Sequence, residues 1–393
     1  MKKRILICGG RILTMAGKVL PRGCVLVENA KITAVAEQID PGAGPAGTQK
    51  PEILDASGCW VMPGLIEAHC HLGISEQNMG MEGDDCNENV SPVTPWLRAI
   101  DAINPMDAGF DDAVRAGITS VMAGPGSSNV VGGQFAFLKT KGRRIDDLIV
   151  KAPAAMKAAF GENPKMNFSG RQQSPATRMA IAALLREELF EAAEYRRKKQ
   201  EGGSGFQTDF RKECWLPVLE GRIPLKAHVH RADDIFTAIR IAREFGISLT
   251  LDHCSEGHLA AKELAKEGFP AIVGPELSSR SKIEVQNMAF KTAGILYEAG
   301  LLVAVTTDHP VSLIQSLPLC AGLAVRSGLP MEEGLKAITC NPARICRAYA
   351  RVGSLEPGKD ADIAIFDGNP METFTRTMCT IIDGVEVYRA EGF

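Results

Sequence analysis

The run Val61-Met62-Pro63-Gly64-Leu65-Ile66-Glu67-Ala68-His69-Cys70-His71 carries an apolar, strand-like stretch into two histidines one residue apart. On an extended strand, residues i and i+2 point to the same face, so both imidazoles can reach one cation. The arrangement recurs down the chain. His228 follows Ile223–Ala227, His253 follows Ser248–Asp252, and Asp308 follows Val303–Thr307. Further apolar runs stand at Thr119–Ala123 and Ala271–Gly274, and two more strands are expected between residues 130 and 160. Between the runs lie segments of helical period, Ala232–Phe245, Leu259–Glu267 and Lys282–Ala299. Strands that alternate with helices imply a parallel sheet, and eight of them close a barrel. Such a barrel keeps its active site at the C-terminal ends of its strands. Of the seven histidines, all but His258 fall on or just after such an end.

Outward from this core the pattern changes. Residues 1–60 read as short strands, Arg4–Cys8, Arg11–Thr14, Gly23–Glu28 and Lys31–Ala36, followed by a Gly/Pro-rich loop at 38–52. Near the other end Arg351–Phe366 and Thr377–Arg389 again read as strands around turn residues. Both ends are thus β. The pattern reads as an α/β fold: strand-and-helix units over 61–346, whose count of eight would close a barrel, and one β domain outside it that pairs both chain termini, 1–60 and 347–393. Residues 176–201 read as a solvated helix with a mobile end at Gly202-Gly203.

The 393 residues carry a net charge of -3, which gives no electrostatic reason to expect nucleic acid or a membrane surface as partner. A small-molecule substrate is the expectation. Eleven cysteines, an odd and scattered set, suggest reduced thiols in a cytoplasm rather than a disulfide scaffold. Gly9, Gly10 and Arg11 interrupt the opening apolar stretch, so no signal peptide is expected there, and no run nears the ~20 apolar residues of a membrane helix. The loop Gly124–Asn129 lacks the Gly-Lys-Ser/Thr ending of a phosphate loop and reads as a pocket-shaping connection. Alternation turns Cys70 away from His69 and His71, into packing.

In order, Val61–His71, Lys226-Ala227-His228-Val229-His230, Leu251-Asp252-His253, Thr306-Thr307-Asp308, Asn341-Pro342-Ala343 and Gly353–Asp362 make a specific series of motifs. The chain resembles the amidohydrolase superfamily across nearly its whole length. The likeness is closer to the branch of imidazolonepropionase, Xaa-Pro dipeptidases and arginine carboxypeptidases. The resemblance implies a (β/α)8 TIM barrel with a small β-sandwich built from both chain termini, and a divalent metal, zinc foremost, with one or two ions per chain. It gives His69, His71 and Asp308 to a deeper ion and His228 and His253 to an outer one. It also implies a carbamylated lysine bridging the two; Lys157 matches best, with Glu162 as the competing carboxylate. His230 would orient the substrate, and Asp308 would take a proton from water and deliver it to the leaving nitrogen. Homo-oligomers are common in the family, although no segment points to an interface.

The resulting expectation is hydrolysis of a non-aromatic C–N amide bond in a dipeptide, an N-acyl amino acid or a cyclic amide. Two alternatives stand beside it. An imidazolonepropionase-like ring opening would need one metal and no lysine bridge, and a non-catalytic scaffold on the same barrel would need neither. Deamination of a nucleobase is demoted because His230 occupies the place where a Glu would be wanted. Arg178, Arg231 and Arg280 are candidate partners for a substrate carboxylate. His309 is a candidate pocket residue, and His258 is read as structural.

Overall fold

The computed structural model describes residues 4–42, 49–77, 79–202 and 205–393. The centre of the Gly/Pro-rich loop, 43–48, and Gly203 lie outside the described residues. At the N-terminal side stand β1 (Arg4–Leu13), β2 (Val19–Glu28), β3 (Lys31–Ala36), β4 (Glu52–Asp55) and β5 (Trp60–Pro63). Then follow β6 (Leu65–Cys70), β7 (Ile118–Ala123), β8 (Val131–Lys139), β9 (Ile149–Ala159), β10 (Leu225–Val229), β11 (Leu249–His253), β12 (Ala271–Val273) and β13 (Val303–Val305). The last strands are β14 (Ile363–Phe366), β15 (Thr377–Ile382) and β16 (Val385–Arg389).

The strands of the two termini form one sheet in the order β16-β15-β14-β5-β1-β2-β3, with β4 also on β1. The sheet has its own apolar core, including Ile7, Ile12, Val25, Val61 and Ile363. The apolar, strand-like stretch that leads from Val61 into the two histidines is two strands. Trp60–Pro63 pairs with β1 and β14, and Leu65–Cys70 opens the barrel. Gly64 divides them because a Cβ there would sit 2.2 Å from the Thr119 side chain, so only glycine lets the two sheets approach. Cys8 and Cys24, directly paired in the β1–β2 register, are joined as a disulfide, which corrects the reduced-thiol expectation at these two positions. Register brought together two thiols that lie 16 residues apart in sequence. Nine cysteines remain free.

The second sheet runs β13-β12-β11-β10-β9-β8-β7-β6, a nearly closed barrel. Its strands are buried on both faces, which explains their continuous Val/Ile/Ala-rich runs. One strand departs from the expected alternation. β8 runs antiparallel to both β7 and β9. A parallel partner needs a crossover of a dozen or more residues, and the connections 124–130 and 140–148 are too short for one. Reversal carries Lys139, at the end of β8, onto the buried Asp362 at 2.5 Å and Asp360 at 3.1 Å and the half-exposed Asp383 at 3.3 Å. These carboxylates flank β14 and β15, so the cluster ties the barrel to the terminal sheet.

The seam between β13 and β6 is closed by side chains. The buried Glu67 carboxylate accepts from Thr306 Oγ1 (2.5 Å), Thr307 Oγ1 (2.7 Å), Thr307 N (2.8 Å) and His69 N (3.1 Å). Ala232–Phe245 is helical over the expected span. The segment 176–201 is a helix over Arg178–Glu201, capped by the Thr177 hydroxyl, which accepts from Ala180 N. Lys282–Ala299 is not one helix but a single turn, Ile283–Val285, and a short helix, Thr292–Glu298. Its helical period is overridden by Glu284, whose side chain turns inward.

Candidate metal centre

Two groups of three side chains meet at the C-terminal ends of the parallel barrel strands. His69, His71 and Asp308 form the first, and His228, His230 and His253 the second; within each group the ligand atoms lie within 4.8 Å of one another.

The first group is built by the seam. His69 is the penultimate residue of β6, and His71 follows the strand with its backbone N–H on His309 O. Asp308 lies just past β13, in the left-handed region at φ 52°. A residue with a Cβ pays about 1–2 kcal/mol there, and strain of this kind gathers at functional sites. His71 Nδ1 lies 2.7 Å from Gly124 O, a carbonyl that can only accept, so the ring proton sits on Nδ1 and Nε2 presents a lone pair. That lone pair faces Asp308 Oδ1 at 3.3 Å, and His69 Nε2 faces the same oxygen at 3.3 Å. Acceptors that converge in this way call for a cation between them. The pKa of His71 registers the pull. Burial would lower it, but Cys86 and Asp308 outweigh burial and push it up to about 10, so without an ion a proton occupies Nε2, and a bound divalent ion would take that proton's place and free the lone pair. Burial would raise Asp308, yet His253, His69 and His71 hold it well below the ordinary carboxylate range.

His69 is aimed from behind. Its Nδ1 lies 3.0 Å from Asp252 Oδ2, and Asp252 in turn accepts from Lys226 Nζ (3.2 Å) and Thr250 Oγ1 (3.0 Å). A carboxylate behind a ligating imidazole fixes its tautomer and ring orientation.

In the second group, His228 on β10 and His253 ending β11 meet at a ring separation of 4.5 Å. His253 Nδ1 is 2.8 Å from Gly274 O, and its buried Nε2 has no hydrogen-bond partner among the described residues. His230 Nδ1 is 2.7 Å from Ser255 Oγ. Burial lowers the pKa of all three rings, that of His230 to about 4, so they stand neutral, the form in which imidazole binds metal. The orphaned His253 Nε2 and the facing acceptors around Asp308 fit divalent ions in both groups.

Lys157, on β9, is fully buried, and its Nζ lies 3.3 Å from His69 Nε2. Burial lowers its pKa to about 8, which leaves a usable fraction of neutral amine near neutral pH. Glu162 is turned elsewhere. Its Oε2 accepts from Glu284 N at 3.2 Å, and it belongs to neither metal-capable group. The proposed anion partners are engaged: Arg178 with Asp234, Arg231 with Asp233 and Arg280 with Met288 O. His309 is fully buried, its Nδ1 accepting from Ile314 N, and His258 bonds Thr292. Cys70 packs with its thiol toward Met122 O.

A cavity of about 790 Å³ opens beside the first group, lined by Asp85, Cys86, Trp96, Gly132, Gln134 and Phe210 among others. Cys86 stands near enough to His71 to raise its pKa, and a Cβ on Gly132 would lie 3.3 Å from Lys157 Cγ, so the cavity wall adjoins the centre. Sequence reasoning passed over Glu67, Asp252 and Glu284. The first two stand inside quoted motifs beside the ligands. Glu284 gave no signal, being one polar residue in a stretch of helical period.

A barrel whose strand ends gather imidazoles and a carboxylate is the frame of a metal-dependent hydrolase. A profile of the Amidohydrolase family matches residues 219–387. The crystal structure of an amidohydrolase from Thermotoga maritima MSB8 superimposes with a TM-score of 0.93 at 39% identity, covering 98% of this chain and 100% of that one. The amidohydrolase tasK of Hapsidospora irregularis is 29% identical over 92% of this chain, which spans 39% of that protein's length. An imidazolonepropionase of Rhizorhabdus wittichii is 26% identical, with 91% of this chain and 92% of that protein covered. The chain belongs to the amidohydrolase family, metal-dependent hydrolases of C–N bonds. No helix among the described residues is long and apolar enough to cross a membrane.

Proposed function

We propose that the chain hydrolyses a C–N bond of a small molecule, a dipeptide, an N-acyl amino acid or a cyclic amide, at a centre held by His69, His71, Lys157, His228, His253 and Asp308. The observation that carries this reading is the convergence of His69 Nε2 and His71 Nε2 on Asp308 Oδ1, both at 3.3 Å, with Lys157 Nζ 3.3 Å from His69. Zinc suits the imidazole and carboxylate donors. When bound, a divalent ion supplies a nucleophilic water at neutral pH and polarises the scissile carbonyl. Asp308, kept ionised by its imidazole neighbours, accepts the proton of the attacking water at its carboxylate and returns it to the leaving nitrogen. Asp252 holds the His69 ring, and Gly124 O and Gly274 O hold His71 and His253. The cavity beside Cys86 receives the substrate's remaining groups.

Lys157, carbamylated, would bridge the two groups. A mononuclear ring opening is the second reading, favoured by the imidazolonepropionase relative, and on it Lys157 has no bridging part. We further assign residues 1–60 and 347–393 to one domain and 61–346 to the catalytic barrel, in a cytoplasmic homo-oligomer. The nine free cysteines support that compartment.

Metal per chain, measured on protein purified in bicarbonate, tests the reading. Two ions in wild type and one in Lys157→Ala are expected. One ion in both proteins would remove Lys157 from the centre and favour cyclic amides. None in either after reconstitution would overturn the hydrolase reading and restore the scaffold.

A further inference from the structure

We propose that Asn163 is a further catalytic residue, whose side-chain amide donates a hydrogen bond to the scissile carbonyl oxygen as negative charge gathers there. The inference rests on the hydrolase reading given above and deepens it.

Asn163 is the second residue of the helix Glu162–Ser169, which starts at the rim end of β9, the strand that carries Lys157. Its Oδ1 accepts from Lys282 Nζ at 2.7 Å. An ammonium can only donate, so this contact settles which end of the amide is oxygen and turns Nδ2 the other way. There Nδ2 donates to Ser127 Oγ at 2.7 Å and stands 3.4 Å from His228 Nε2. A primary amide has two protons, and Ser127 takes one. The other meets His228 only at a distance beyond the roughly 2.7–3.2 Å of a good N–H bond. An ion on the His228 lone pair leaves that proton for an acceptor on the substrate.

The amide is held before any substrate arrives. Lys282 Nζ also lies 2.8 Å from Glu284 Oε1. Glu284 Oε2 in turn accepts from Glu162 N at 2.8 Å, while its own N–H donates to Glu162 Oε2 at 3.2 Å, a reciprocal clasp between the loop after β12 and the helix that bears Asn163. Gly161 makes room for the clasp: at φ 82°, a Cβ would stand 2.7 Å from Glu284 Oε2. Asn167, one turn along, donates to Ser128 O at 3.3 Å and ties the same helix to the loop after β7. A donor fixed in this way needs no reorganisation as charge develops, which makes such donors worth about 10²–10³ in kcat.

The placement divides the work. Asp308 belongs to the first group and Asn163 stands against the second, so proton carrier and carbonyl donor address different atoms of the amide. As water adds, Asp308 takes its proton, the new C–O bond forms and the carbonyl π pair moves onto oxygen, where the Asn163 N–H meets it. The pair returns as the C–N bond breaks and the nitrogen receives the proton from Asp308. Asn163 itself transfers no proton.

The test titrates methylphosphonate, a tetrahedral anion that mimics the charged oxygens of the adduct, into cobalt-loaded wild type, Asn163→Ala, Asn163→Leu and Asn167→Ala in bicarbonate buffer. Ion count and the shift of visible absorption on binding are read together. All four proteins should hold the same number of ions. Asn163→Ala and Asn163→Leu, the second of which keeps the bulk, should bind the probe at least about 10-fold more weakly than wild type, with Asn167→Ala within about twofold. On an amide found by screening, kcat of Asn163→Ala should fall about 100–1,000-fold with KM little changed. Probe affinity of both Asn163 variants within about twofold of wild type, at an unchanged ion count, would overturn the proposal and leave the hydrolase reading standing. A lower ion count in both would make Asn163 a support of the centre and overturn it too, as would loaded wild type that does not bind the probe. No cobalt in wild type would overturn the hydrolase reading along with it.

Discussion

Replacing Asp252 with Asn separates two effects that the carboxylate exerts. Its Oδ2 lies 3.0 Å from His69 Nδ1, and its Oδ1 accepts from Lys226 Nζ at 3.2 Å, all fully buried. Burial alone would raise its pKa, but Lys226 and His69 hold it far below the ordinary value, so the ionised form is the one both partners require. Breaking a buried pair by removing one charge costs about 3–5 kcal/mol. Unfolding entropy near 2.1 cal/mol/K per residue, over 393 residues, converts this into a fall of about 4–6 °C in the melting temperature of the metal-free protein. The second effect is on the ion. Losing the group that orients a ligating imidazole lowers metal affinity about 10–100-fold, or about 1.4–2.7 kcal/mol. Competition with a chromophoric chelator measures the affinity, and calorimetry of the stripped protein measures the stability. Thr250→Val is the control, because it deletes a single hydrogen bond to the Asp252 carboxylate, worth about 1.5–3 kcal/mol, and spares His69. If Asp252→Asn lost stability as stated while its metal affinity stayed within about twofold of wild type, the carboxylate would be a counter-ion for Lys226 alone, and the orienting role would be refuted.

Asp308→Asn should lower kcat by about 10²–10⁴ through loss of the proton acceptor, measured on whichever amide a screen identifies; an unchanged kcat would place the proton transfer elsewhere. Lys139→Met leaves Asp360 and Asp362 buried without their shared cation, and a loss of about 3–5 kcal/mol is expected by denaturant melts. Lys139→Arg should recover part of it.

The strand ends were legible because metal ligands must be polar and a barrel strand is apolar throughout, so His69, His228, His253 and Asp308 stand out against their runs. Direction was not legible. The residues Val131–Lys139 are apolar read either way, and only the shortness of the connections at 124–130 and 140–148 carries the reversal of β8. Local periodicity also has nothing to say about partners distant in sequence. Glu67 reaches Thr306 across 239 residues, and Glu284 clasps Glu162 across 122. Glu284 looked helical because its neighbours repeat at the helical period, and its burial beside two imidazoles overrode that tendency.

The 73–104 segment leaves the rim after β6 and returns to nearly the same point, where Asn104 N donates to Gly73 O at 2.9 Å. In between it supplies Asp85, Cys86 and Trp96 to the cavity and lies along β8, held by backbone bonds such as Thr94 N to Val131 O, Val131 N to Pro92 O and Gln134 N to Leu97 O. A segment that starts and ends at one place works as a cassette. Natural variation or a laboratory graft can exchange it without stretching the strands that carry His69 and Asp308. The choice of amide is thereby separable from the chemistry that cleaves it, and a library confined to this one insert is the economical way to move the protein from one substrate to the next.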